Sequence, residues 1–169
     1  MGDSLITIIA IFLAAILMFV FPLSAISEMN DNEALAMVQS YTTEFVNQIR
    51  SKGKITQADY DAYIQKLNAT GNSYDVEFEV QIADSNPGKK TENQQIGDTT
   101  YYGVYTSQVE QQLASGSYLL KEGDYVNVFV KNTNTTISQM IKSVLYSVTG
   151  DRSYVISAQA SGAVVSTGY

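Results

Sequence analysis

Three carboxylates, Asp75, Glu77 and Glu79, stand at alternate positions between Tyr74 and Ile82. In an extended chain such residues share one face, about 7 Å apart from one to the next. Carboxylates so placed suggest either a hard-cation site or acid–base work. A Ca²⁺ ion takes about six to eight oxygens, usually from a loop that wraps it, and a flat row wraps nothing. The row therefore reads first as the solvated face of a strand, with weak Ca²⁺ binding as the alternative. Lys121-Glu122-Gly123-Asp124 reads in the same way as a turn.

The remaining chemistry is bounded by what the chain lacks. It has no Cys and no His, which removes the usual zinc sites, thiol nucleophiles and imidazole bases. No Gly-rich phosphate loop follows a strand, and nothing pairs two carboxylates in a cleft for work on a glycan. The expectation is a non-enzymatic protein with no cofactor, no metal site and no evident small-molecule substrate. A net charge of −7 makes nucleic acid a poor partner, because phosphate binding needs a basic surface.

The element that positions everything else is apolar. From Ser4 to Ser27 there is no charged residue, and Leu5 to Pro22 is almost wholly aliphatic or aromatic. About 20 such residues, at about 1.5 Å of rise each, cross the ~30 Å hydrocarbon layer of a bilayer. A cleaved signal peptide is the competing reading, with Leu23-Ser24-Ala25 as a small-residue cleavage site. The acidic Asp3, the absence of Lys or Arg before it and the length of the run favour a retained helix. The far flank carries Glu28, Asp31 and Glu33, with no basic residue before Arg50. The weak positive bias therefore lies at the N-terminus, and the expected topology puts the rest of the chain outside the cytoplasm.

Beyond the span, Leu35, Val38, Thr42, Phe45 and Ile49 follow a near-heptad seam. The spacing predicts a long helix, bent at Pro22, that continues to about Lys52 and stops at Gly53. Thr56, with Asp59 three residues on, predicts the start of a second helix with Tyr60, Tyr63, Ile64 and Leu67 on its apolar face. Tyr74–Ile82 alternates as a half-buried strand. Ser85 to Gly97 reads as a polar loop with a turn at 86–90. A short strand is expected over Tyr101–Thr106 and a helical turn over Ser107–Ala114. Two strand-like runs lie within Tyr118–Lys131. Ile137, Met140, Ile141, Val144, Leu145 and Val148 give Thr135–Val148 the stripe of an amphipathic helix, closed by Gly150. A last strand is expected over Ser153–Ala160, followed by a small-residue tail from Gly162 to Tyr169.

The expected fold class is α+β: a long N-terminal transmembrane and stalk helix with a small antiparallel-sheet head carrying additional helices. Its division is a transmembrane helix over 1–27, a stalk over 28–53 and a head over 54–169. This plan resembles type IV pilins, Tad-type pilins and pseudopilins. The start Met-Gly-Asp-Ser-Leu-Ile-Thr-Ile-Ile and the block from Lys54 to Glu77, with Leu67-Asn68-Ala69-Thr70-Gly71-Asn72, are similar to envelope proteins of Gram-positive bacteria linked to Tad-like export. Gly2 stands where the family has its cleavage glycine, which would leave Asp3 as the first residue. The family's basic leader and early helix Glu have no counterpart here.

The resemblance implies a cell-surface structural subunit that forms homo-oligomers, or assembles with related subunits, through its helix. On that reading Asp3 would pair with a neighbour's α-amino group. Ala10, Ala14 and Ala15 would let helices approach closely, and Leu35, Val38, Phe45 and Ile49 would lie along the assembly seam. The other reading is a monomeric anchored binding module that recognises a peptide or glycan through Tyr101, Tyr102 and Tyr105.

Overall fold

The computed structural model describes residues 2–84, 101–145 and 156–169. The polar loop and turn expected at 85–97, the helix end at Gly150 and the first residues of the expected last strand lie outside them. The chain begins with one continuous helix of 50 residues from Asp3 to Lys52, about 75 Å long at the usual rise. It consists of α1 (Gly2–Ala15), a π-helical turn (Ile16–Val20) and α2 (Phe21–Lys52). The π-turn has a cause. Pro22 has no N–H to give, and its ring crowds the carbonyl four residues back, at Met18. Widening the turn relieves both defects without ending the helix. Gly53 ends α2 with a left-handed backbone, φ +65°, and donates its N–H to the Ile49 carbonyl at 2.8 Å.

The head follows as β1 (Lys54–Thr56), α3 (Gln57–Asn68), β2 (Tyr74–Ala83), β3 (Tyr101–Tyr105), α4 (Thr106–Leu113), β4 (Ser117–Leu119), β5 (Tyr125–Asn132), α5 (Ile137–Leu145) and β6 (Ser157–Ala163). Four strands form an antiparallel sheet in the order β3-β2-β5-β6, and β1 pairs with β4 in a separate ribbon. The expected α+β plan of a long apolar helix, an antiparallel sheet and further helices is what the chain adopts. As expected, Thr56 caps α3, its hydroxyl accepting the Asp59 N–H at 3.2 Å.

The sheet has two unlike faces. Val76, Phe78 and Val80 of β2 lie beside Val126, Val128 and Val130 of β5, all buried. Against this layer pack Val38, Phe45, Val46 and Ile49 of α2, with Tyr63 and Leu67 of α3 and Val109 and Leu113 of α4. Phe45 is the hub. It stacks on Tyr63 with centroids 4.2 Å apart and meets Phe78 edge-on at 6.2 Å. Burying one such side chain contributes about 1.5–3 kcal/mol. From Asp31 onward the inner face of α2 is part of the head's core.

The last strand ends later than the sequence leads one to expect. The last strand runs over Ser157–Ala163, so Gly162 and Ala163 belong to the sheet rather than to a tail. The residues after it are not loose. Val164, Val165 and Gly168 donate backbone hydrogen bonds to Asp124, Arg50 and Leu120. The tail lies so close to Gly53 that a Cβ there would collide with the backbone of Ser166 and Gly168.

Candidate membrane-facing and assembly surface

The largest feature without an intramolecular partner is the first half of the long helix. Its most apolar window has a mean hydropathy of 2.9 and none of it is buried. Large side chains stand out on every side, among them Leu5, Ile9, Phe12, Leu17, Phe19 and Leu23. A helix apolar all round is at home in a protein core or a membrane. The chain thus carries one helix long and apolar enough to cross a membrane, near its N-terminus. Asp3, Ala10, Ala14, Ala15 and Pro22 are all exposed on it. Ala10 and Ala14 share a face, one turn apart, and Ala15 is rotated off it. The polar Thr7 hydroxyl is spent internally, donating to the Asp3 carbonyl at 2.7 Å.

The seam residues have a different setting. Val38, Phe45 and Ile49 are buried in their own chain, and Leu35 is partly buried against the same core. Thr42, the polar member of the seam, donates to the Val38 carbonyl at 2.6 Å and meets the Tyr63 hydroxyl at 2.9 Å. Burial pushes the Tyr63 hydroxyl well above its ordinary pKa, the Thr42 bond offsetting part of this. The near-heptad spacing is thus filled by the chain's own sheet and α3, not left open for a neighbour.

Where the apolar run meets the head, a polar collar joins α2 to α5. Asp31 is buried and accepts a 2.7 Å hydrogen bond from Thr136 Oγ1. The Thr136 amide donates to Gln139 Oε1 at 2.8 Å, and its hydroxyl accepts the Gln139 N–H at 3.3 Å. Together these make a reciprocal cap on α5. Lower down, Lys142 pairs with Glu28 at 3.1 Å. Ser138 Oγ is buried without a hydrogen-bond partner among the described residues. Asp31, Thr136 and Gln139 carry no signal of a site in the sequence beyond Thr136-x-x-Gln139, a readable capping box.

The collar inverts α5. Its polar side chains Ser138 and Gln139 are 1% and 8% exposed, whereas Ile137, Met140 and Val144 are 57%, 50% and 78% exposed. Of the apolar stripe expected from the sequence, Ile137, Met140 and Val144 thus face away from the head and Ile141 is half-buried, while Val148 lies outside the described residues.

The tyrosine arm is β3, an edge strand. Tyr101, Tyr102 and Tyr105 are exposed, but they do not form one patch. Alternation puts Tyr101 and Tyr105 on one face, with Tyr102 on the other beside the partly buried Val104. The Tyr105 ring lies over Gly103, where a Cβ would sit 3.1 Å from its hydroxyl. Thr106 then staples the arm to β2: its hydroxyl accepts the Phe78 N–H at 2.8 Å and donates to the Phe78 carbonyl at 3.3 Å.

The acidic row lies on the sheet's open face and is paired along it. Lys131 contacts Glu77 at 2.7 Å and Asp75 at 3.5 Å. Its hydrogen bond to Glu77, then the Glu77 charge, raises the lysine pKa. Glu79 accepts from Asn127 and Gln81, and Asn127 accepts from Gln159 at 2.9 Å. The result is a polar ladder across β2, β5 and β6. No protein-family model, no curated protein and no solved structure matches this chain.

Proposed function

We propose that this chain is a non-enzymatic, single-pass structural subunit of the cell surface. Its first helix holds it in the membrane, and the head projects on the extracytoplasmic side. It assembles with copies or pilin-like relatives through the apolar residues between Leu5 and Ile26, as in Tad-like or type IV pilus-related filaments and secretion systems. One observation supports this most: a head that closes its own core is joined without a break to a helix whose apolar side chains are exposed on all sides. That surface needs lipid or sister helices around it. Since the seam from Val38 to Ile49 is filled internally, the assembly contact is assigned to the α1 part of the helix, with the Ala10–Ala14 face as its closest approach.

The chain's lack of cysteine makes the test simple. Single variants Ala10→Cys, Ala14→Cys and Phe12→Cys are oxidised in native membranes. Cross-linked dimers from the alanine face, with fewer from Phe12→Cys, are expected. Monomer at every position would refute assembly through this helix. An N-terminal mass showing that the mature chain starts beyond Ala25 would refute the anchor itself. The exposure of Tyr101, Tyr102 and Tyr105 on an edge strand favours a second reading, an anchored monomer that binds a peptide or glycan. It would be supported if altering these residues abolished ligand capture while leaving the oligomeric state unchanged.

A further inference from the structure

We propose that α5 is an interfacial helix that rests on the lipid surface and holds the head at a fixed height and tilt above the membrane. The inference rests on the long helix being a membrane span. Three observations carry it. First, α5 turns most of its apolar side outward: Ile137, Met140 and Val144 are exposed and Ile141 is half-buried, while Ser138 and Gln139 are sealed against the head and the exposed Ser143 hydroxyl is spent on the Met140 carbonyl. A helix that spends its polar face on its own protein leaves its apolar face for a non-aqueous neighbour.

Second, two contacts fix the direction of α5. Thr136 is tied to Asp31 and Lys142 to Glu28. Moving along α5 from Thr136 to Lys142 therefore moves back along α2 from Asp31 to Glu28, towards the apolar run. Val144 lies beyond Lys142, closer still to the span. Third, beyond the Glu28–Lys142 pair no further charge follows on that side of α2. Ser24 and Phe21 stand one and two turns before Glu28 on the same side of α2, and Phe21 is exposed. The outer face of α5 thus descends to the level where the last uncharged residues of the span give way to Glu28 and Asp31. A bilayer boundary belongs at that level, and an interfacial helix buries its apolar face about 5–10 Å into that boundary. The charge pattern agrees: Lys142 is taken up by Glu28, and the head's net charge does not call for an anionic surface. The partner named is therefore the acyl–headgroup boundary itself.

The chain has no Trp, so one introduced Trp reports on one position. Full-length Val144→Trp, Phe12→Trp and Leu119→Trp are reconstituted in phosphatidylcholine vesicles, with bromine placed either near the headgroup end of the acyl chains or at their far end. Val144 and Leu119 are exposed, so neither change disturbs the core, and Leu119 lies beside the Gly53 end of α2. The expected result is loss of most Val144→Trp emission with shallow bromine and little loss with deep bromine. Phe12→Trp should be quenched by the deep label, and Leu119→Trp by neither. Val144→Trp left unquenched while Phe12→Trp is quenched would overturn the proposal and leave the span reading intact. Emission from Val144→Trp that shifts to the blue with rising protein-to-lipid ratio, without bromine quenching, would also overturn it, because a second copy would then cover α5. Phe12→Trp unquenched by either label would instead remove the span reading on which the proposal rests.

Discussion

The two halves of the long helix share one unbroken backbone but have opposite surroundings. From Leu5 to Ile26 the side chains are apolar all round and none of the most apolar window is buried. From Asp31 to Ile49 the helix has a dry inner face, with Ala34, Val38, Thr42, Phe45, Val46 and Ile49 buried, and an outer face of Glu33, Gln39, Glu44 and Asn47. The first half depends on surroundings that the chain does not supply; the second depends on its own sheet. A substitution in one half should therefore show in a property that the other half barely affects.

The sharpest break is a charge placed in the first half. Ile11→Arg at the middle of the apolar run should cost about 3 kcal/mol of insertion free energy. Most of the protein should then appear in the carbonate-extractable fraction while the head keeps its near-ultraviolet dichroism. If the variant stays in the membrane pellet as firmly as the parent, the contrast between the halves fails. The matching break in the second half is Phe45→Ala. It removes a ring that contacts both Tyr63 and Phe78 and should destabilise the head by about 3–5 kcal/mol. That loss is read from denaturant midpoints in detergent, with membrane retention unchanged.

A smaller effect tests the collar where the halves meet. Thr136→Val leaves the buried Asp31 carboxylate without its 2.7 Å donor, at a cost of about 1–3 kcal/mol, and also removes the hydroxyl that caps α5, at a further cost of about 1 kcal/mol. Pairing it with Asp31→Leu should recover part of the loss, because both polar partners are then gone. A double variant as unstable as the sum of the two singles would show that the bond itself is not what holds α5 to α2.

The same contrast explains what could be read from the residues alone. The apolar run, the alternation from Tyr74 to Ile82 and the Gly53 stop were legible because each is a local pattern with one physical meaning. The seam from Leu35 to Ile49 was legible as a buried stripe but not as to what buries it. Spacing shows that a face is dry, not whether the covering residue belongs to the same chain. α5 shows this in reverse. Its stripe was visible, yet the side it faces depends on Asp31 and Glu28, more than 100 residues away, capturing Thr136 and Lys142. Only half of the β1–β4 ribbon had a local signal: β4 falls at the first of the two strand-like runs within Tyr118–Lys131, whereas Lys54–Thr56 is a three-residue strand that only its pairing defines. β6 was misplaced in part because Ser157–Ala163 is built from small residues with weak alternation, and its register comes from β5. Of the candidate surface, Ala10, Ala14 and the tyrosines were found as residue types. That the three tyrosines divide between two faces follows from the β2–β3 register, which no single segment reveals.

The mildest test uses protons and should touch the second half alone. Asp59 sits at the start of α3 and accepts from Lys52 at 2.8 Å, so it ties that helix back to the end of α2. Partial desolvation pushes its pKa up. The Lys52 bond and charge, together with the Thr56 hydroxyl and the cap N–H, outweigh that and hold it below the ordinary value. The folded pKa thus lies below the unfolded one, about 3.9. Such a group stabilises the fold fully above the unfolded value and loses that contribution as pH falls through the lower, folded value. The difference in urea midpoint between the parent and Asp59→Asn should therefore be largest at neutral pH and shrink as pH falls from about 4 through the lower, folded value, below which both side chains are uncharged. Membrane retention should be the same for both proteins throughout. A midpoint difference that stays constant down to the acid limit would mean that the link between α2 and α3 depends on the shape of this side chain and not on its charge.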